Sequence, residues 1–323
     1  MQVVETGIVH DKSSALIAGV CKSAGGDLLL VYNSRGDLSA GEQAFVVRSQ
    51  DQGRTWGDPE TSFESIFVEG GIEAGCSLSC LPDGRLLLPY TDGFYLHPKT
   101  DNYDRRTLLF CLTSDDEGRS WGNRRAQRFA GLEAFAFGKI ISLSDGKLLL
   151  PLWGTLDVHG TCNPGVLKST DRGETWSDYR SIAQRGNETP IVLLPDDRIM
   201  ALLRGFTDEP NYPLHIAYSD DAGNTWTVPR KTSVEGTSPS LHITSKGTLL
   251  AGYRSTQESG NCRVAVSADL GATWDLALEL ELPHGTWDYG GYPVFENLAS
   301  GDIFVSFHNA VPTWYVAYNI LQE

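Results

Sequence analysis

The stretch Ser49-Gln50-Asp51-Gln52-Gly53-Arg54-Thr55-Trp56 decides the fold, because its pattern Ser-x-Asp-x-Gly-x-Thr/Ser-Trp returns four more times in the 323-residue chain. The copies run from Ser114 to Trp121, Ser169 to Trp176, Ser219 to Trp226 and Ser267 to Trp274, spaced 65, 55, 50 and 48 residues start to start. Each copy reads as a β-hairpin turn. The Asp carboxylate accepts hydrogen bonds from backbone amides, Gly supplies a positive φ, and Ser and Thr tie down the flanks. Trp opens the returning strand and buries a large ring against a neighbouring element. Five copies of one aspartate in five turns have a structural explanation, so these carboxylates are not catalytic candidates.

A second repeat interleaves with the first. A short turn leads into an apolar strand in Gly26-Asp27-Leu28-Leu29-Leu30, Gly84-Arg85-Leu86-Leu87-Leu88 and Gly146-Lys147-Leu148-Leu149-Leu150. The same turn recurs at Asp197, Gly247 and Gly301, which makes six units of about 50 residues. Two strands across the short turn and two across the Asp turn give four strands per unit. The expected fold is all-β, a six-bladed β-propeller with four-stranded antiparallel blades, which hides sheet edges by radial repetition. The sixth unit has no Asp turn, and Gln2–Val9 is expected to supply its outer strand and close the ring. No linker or composition shift divides the chain, so residues 1–323 read as a single domain.

Composition narrows the partners. With 26 Lys+Arg against 41 Asp+Glu the formal charge is −15, which disfavours nucleic acid, whose binding is driven by Lys and Arg. No apolar run is long enough to span a membrane as a helix. The N-terminus lacks the basic and apolar regions of a signal peptide, so the expected location is the cytoplasm unless a leader was removed. Six scattered cysteines read as buried free thiols, with Cys76 and Cys80 on one face of a strand. The seven histidines form no ligand-spaced pair, so neither a metal nor another cofactor is expected.

Repeat counting also locates a site. Propellers take ligands at one end of the central channel. Nine residues before each turn anchor stand Ile17, Gly75, Phe137, Glu188, Ser238 and Tyr292; seven after stand Asn33, Thr91, Trp153, Arg204, Arg254 and His308. A strand entering the turn and one leaving it are antiparallel, so both sets belong at the same mouth. Two Arg and a Glu at equivalent depths have little use in a core unless they are paired.

The chain resembles the sialidase (neuraminidase) superfamily, whose hallmark is these Asp boxes, or BNR repeats, on a six-bladed propeller. The resemblance covers essentially the whole chain. It implies a retaining exo-glycosidase that cleaves a terminal α-linked sialic acid or related acidic sugar. In such enzymes a Tyr attacks the anomeric carbon, a Glu takes its proton, an Asp serves as acid and base, and three Arg hold the sugar's carboxylate. Tyr292, in Gly290-Gly291-Tyr292-Pro293, matches the nucleophile, and Glu188, in Asn187-Glu188-Thr189-Pro190, its partner. Asp37, before the first Asp box, fits the acid/base loop, and Arg204 fits the Glu-to-Arg pairing of adjacent strands. A neutral Tyr suits attack beside a substrate carboxylate, which would repel a carboxylate nucleophile, and its pKa near ~10 calls for a base. Arg suits bidentate carboxylate binding better than Lys.

The match departs at one place. Family members carry an arginine in an Arg-Ile-Pro motif on the first inner strand; here the segment reads Ser14-Ala15-Leu16-Ile17-Ala18-Gly19. Arg254 by repeat position or Arg263 by closeness to the last Asp box is the third carboxylate ligand, and Arg35 beside Asp37 is a substitute for the missing one. Trp153 is a candidate for sugar stacking and His308 for substrate contact. Two other readings keep the fold: a glycosidase for a uronic acid or arabinose, which the missing arginine favours, and a non-catalytic carbohydrate-binding propeller.

Overall fold

The first box turn is stapled as its residue types require in the computed structural model, which describes residues 1–10, 16–34, 40–75, 77–95, 105–127, 133–155, 162–206, 208–256, 261–283, 291–309 and 315–323. Asp51 Oδ1 accepts from Ser49 Oγ at 2.8 Å and from the Thr55 amide at 2.8 Å, while Oδ2 accepts from Thr55 Oγ1 at 2.6 Å. Ser49 Oγ in turn accepts from the Gly53 amide at 2.8 Å. The other four boxes repeat the pattern. The residue before each glycine is left-handed too, from Gln52 at φ 62° to Leu270 at φ 56°. Two consecutive positive φ values give the twist that joins antiparallel strands tightly.

Antiparallel strands follow the repeats. Leu16–Lys22, Leu28–Asn33, Gln43–Ser49 and Thr61–Glu64 form one four-stranded sheet in sequence order. In the next, Gly71–Glu73 and Ser79–Cys80 both pair with Leu86–Tyr95, which pairs with Arg105–Ser114. In the third, Phe135–Ala136 and Ile141–Ser142 pair with Leu148–Gly154, followed by Asn163–Ser169 and Ser177–Ser181. Arg230–Ile243 then joins two groups. Its first half completes Ile191–Leu193, Ile199–Leu203 and Pro213–Ser219, and its second half opens Leu249–Ser255, Cys262–Ser267 and Asp275–Glu281. Gly291–Asn297, Ile303–Asn309 and Tyr315–Gln322 complete the order, with Gln2–His10 pairing antiparallel on Tyr315–Gln322. The chain's two ends thus share one sheet. Each sheet is open rather than closed on itself.

The second strand of each unit is buried on both faces, which is why it reads Leu-Leu-Leu instead of alternating; Leu28–Asn33 and Ile199–Leu203 are buried throughout. Box turns supply part of that cover. A Cβ on Gly118 would stand 2.9 Å from Leu29, one on Gly173 2.8 Å from Leu87, one on Gly223 3.0 Å from Leu149, and one on Gly271 2.7 Å from Met200. Each box glycine therefore packs on the second strand of the preceding unit. Gly53 of the first box meets Phe304 of the last unit in the same way.

Of the described cysteines, Cys21, Cys111 and Cys262 are buried thiols, Cys80 and Cys162 are half-buried, and none forms a disulfide. Cys80 sits in the two-residue strand Ser79–Cys80, separate from Gly71–Glu73. Cys76 lies outside the described residues.

Candidate functional site

Strand pairing brings the two counted sets to one end of the sheets. The residues seven after the anchors pair with the start of the inner strands: Asn33 with Leu16, Thr91 with Glu73, Trp153 with Phe135, Arg254 with Thr237, and His308 with Gly291. Arg204 follows the same rule, its amide donating to the Glu188 carbonyl at 3.2 Å.

At that end three of the expected residues meet. The Tyr292 hydroxyl donates to Glu188 Oε1 at 2.6 Å, and Arg204 Nη1 approaches the same oxygen at 2.9 Å. The Glu188 side chain is 6% exposed and Arg204 24%. Glu188 Oε2 is buried and has no hydrogen-bond partner among the described residues. Burial pushes the Tyr292 phenol well above its ordinary value. The Glu188 charge and the hydrogen bond to it push the same way, and Arg204 opposes them. The phenol is therefore neutral at physiological pH, hydrogen-bonded to a carboxylate that is placed to take its proton.

Backbone geometry aims this tyrosine. Between Gly291 and Val294 the inner strand slips register, and Tyr292 within the bulge has φ 56°. Bulges re-aim side chains at functional sites, and a non-glycine left-handed residue costs about 1–3 kcal/mol that the surroundings must hold. Pro293, with no amide hydrogen, suits a position where the ladder is interrupted. The tyrosine ring is held edge-on by Phe137, 5.9 Å between centroids, and tilted against His308 at 5.3 Å.

The neighbouring inner strand repeats the device. Its register slips between Thr237 and Ser240, and Ser238, before Pro239, has φ 52°. Arg254 projects from the paired strand, with Nε donating to Thr237 Oγ1 at 3.0 Å and its Cβ and Cδ each 3.6 Å from where a Cβ on Gly291 would stand. Arg254 thus flanks the Tyr292 segment. Arg263 instead engages the outer strand, pairing with Glu279 at 2.5 Å and Glu281 at 3.5 Å.

His308 is 1% exposed and packs against the Tyr292 ring. Trp153 is half-buried with one face stacked on Phe135 at 4.6 Å. Asp37 and Arg35 lie outside the described residues. Counting from the anchors misses Glu73, whose charge also raises the Tyr292 phenol. The signal was its pairing with Thr91; a break in the inner strand between Glu73 and Ser79 shifts it two places from the counted position.

The family of BNR repeat-like domains matches residues 93–281 of the chain. A curated sialidase of Bacteroides fragilis (strain YCH46) is 25% identical over 356 aligned positions, covering 94% of this chain and 64% of that protein, so the chain spans less than two thirds of the relative's length. A solved protein of unknown function from Dyadobacter fermentans DSM 18053 matches with a TM-score of 0.84 at 21% identity, covering 99% of this chain and 98% of that one. The intramolecular trans-sialidase from Ruminococcus gnavus, solved with oseltamivir carboxylate, gives 0.74 at 13% identity, covering 100% and 98%. The Trypanosoma rangeli sialidase, solved with the inhibitor DANA, gives 0.72 at 14% identity, covering 97% and 55%.

Proposed function

The chain belongs to the BNR repeat-like family of the sialidase superfamily, and on that premise we propose that it is a retaining exo-glycosidase. Its substrate in this reading is a terminal α-linked sialic acid or a related acidic sugar. The observation that carries the reading is the Tyr292–Glu188–Arg204 cluster, with the phenol 2.6 Å from a buried carboxylate.

The fold proposed with it is one six-bladed propeller over residues 1–323. Support comes from the chain of box contacts, in which the second to fifth units each pack on the one before and the first packs on the sixth. The pairing of Gln2–His10 with Tyr315–Gln322 supports ring closure by the N-terminal strand.

In the first step Tyr292 Oη attacks the anomeric carbon while its proton passes to Glu188, and the bond to the leaving oxygen breaks. That oxygen takes a proton from an acid. Asp37 is assigned this part on its sequence position alone. The product is a glycosyl–tyrosine. In the second step water attacks the same carbon from the face the leaving group vacated and gives its proton to the conjugate base of the acid. The Tyr292 oxygen leaves and recovers its proton from Glu188. Two inversions give retention. Arg204 and Arg254 supply the positive charge for the sugar's carboxylate.

Released sugar on incubation with an aryl sialoside, lost in Tyr292→Phe, is the expected result; no release from any sialic or keto-deoxy acid glycoside would overturn the reading. Two observations favour a second substrate class. Glu73 adds negative charge near Tyr292, and the first inner strand carries Leu16 at the family's arginine position. Both weaken the site for a carboxylate, which favours an arabinose glycoside over a uronic or sialic acid, and a screen of aryl arabinosides, uronides and sialosides separates these substrates.

A further inference from the structure

Ser238 is locally unfavourable in two ways. Its backbone is left-handed at φ 52°, where glycine would be free of strain, and its hydroxyl is buried with no hydrogen-bond partner among the described residues. The residue as a whole is 1% exposed. Packing alone gives no reason for a serine here, since glycine would relieve the backbone and alanine would remove the unpaired oxygen. A residue that breaks two local rules at once marks a functional position.

Its place says which function. Ser238 stands nine residues before its turn anchor, as Tyr292 does in the next unit and Glu188 in the one before, and it shares with Tyr292 a left-handed backbone in a register slip and a following proline. Ser238 Oγ is 3.7 Å from where a Cβ on Gly291 would stand, and the Arg254 side chain is 3.6 Å from the same point. The hydroxyl and that side chain therefore lie on one side of the Gly291–Tyr292 segment. Thr237, adjacent in sequence to Ser238, fixes the Arg254 Nε at 3.0 Å.

We propose that Ser238 is a substrate-binding residue whose hydroxyl donates to the sugar's carboxylate beside Arg254. The inference rests on the glycosidase reading above and names a contact within it. A neutral hydroxyl adds a directed donor without another buried charge to desolvate, and a donor to an ionised acceptor is about twice as strong as one to a neutral acceptor. In this reading the hydroxyl does part of what an arginine at Leu16 would do.

The test compares the binding of 2,3-dehydro-N-acetylneuraminic acid with that of its methyl ester, by calorimetry, for the wild-type chain, Ser238→Gly and Ser238→Ala. Thermal melting of each variant is recorded alongside. Both variants are expected to melt at or above the wild-type temperature and to bind the acid about ten-fold or more weakly. Their affinity for the ester should be unchanged. Unchanged binding of the acid, or equal weakening of acid and ester, overturns the proposal. So does a loss confined to Ser238→Gly, because backbone freedom would then be the cause. A wild-type chain that binds neither compound and cleaves no sialoside overturns the sialic-acid reading itself, and this inference with it. An active wild type with insensitive variants overturns only the role of Ser238.

Discussion

Tyr292 and Glu188, 104 positions apart in sequence, share a 2.6 Å hydrogen bond in which the phenol donates to the carboxylate. The bond is short, part-buried and reinforced by Arg204 on the same carboxylate oxygen. Tyr292→Phe removes only the reacting oxygen and keeps the ring contacts with Phe137 and His308. Sugar release should fall to background while the melting temperature stays near wild type. Steady-state rates with an aryl sialoside and a thermal melt check both halves.

Glu188→Gln keeps the shape and removes the base. A positioned general base contributes about 10²–10⁴-fold, so kcat should drop by that order. Burial and the Glu188 charge both hold the phenol well above its ordinary value. Without that charge its ionisation should move down, though burial still holds it high. Spectrophotometric titration of the tyrosinate band, with Tyr292→Phe as the blank, reads the shift.

Arg204→Ala leaves the Glu188 carboxylate buried without its cation. Breaking a buried pair costs about 3–5 kcal/mol, and the 24% exposure of Arg204 brings the expected loss toward about 2–3 kcal/mol. Denaturant unfolding should show that loss. The Michaelis constant for an acidic substrate should rise as well, whereas a purely structural arginine would change stability alone.

The box turns predict an acid limb of stability. Hydrogen bonds from Ser120 hold the Asp116 carboxyl at about 2, and those from Thr225 do the same for Asp221. A carboxyl lowered by folding stabilises the native state above its unfolded value near ~3.8 and loses that contribution as pH falls. Melting temperature should therefore decline most steeply between about pH 4 and pH 2. Asp116→Asn should lower the melting temperature at pH 7 and flatten the acid decline. Its kcat/KM should match wild type, since a box turn takes no part in the proposed chemistry.

Local rules made much of this legible. The Ser-x-Asp-x-Gly-x-Thr-Trp turn is a self-contained hydrogen-bond set, so its five copies announced both the hairpins and their spacing. Counting from the short turns gave Glu188, Arg204 and Tyr292 equivalent offsets, and Tyr292 keeps its offset although its strand slips register between Gly291 and Val294. The count missed one acidic residue. Glu73 escaped because its inner strand breaks before Ser79. The strained Ser238 had no mark in the sequence beyond its position, since serine before proline is ordinary in a loop. Arg254 and Arg263 could not be separated by counting; the contact with Thr237 on one side and with Glu279 and Glu281 on the other is a tertiary fact.

The account's central claim is that Tyr292 becomes covalently bonded to the sugar. Incubation with 2,3-difluorosialic acid, followed by peptide mass spectrometry, tests it most directly. The predicted result is a single glycosyl adduct on the peptide that contains Tyr292, absent from Tyr292→Phe. An unlabelled Tyr292 in a chain that is actively cleaving a sialoside, or an adduct on Glu188 or Asp37, would contradict it.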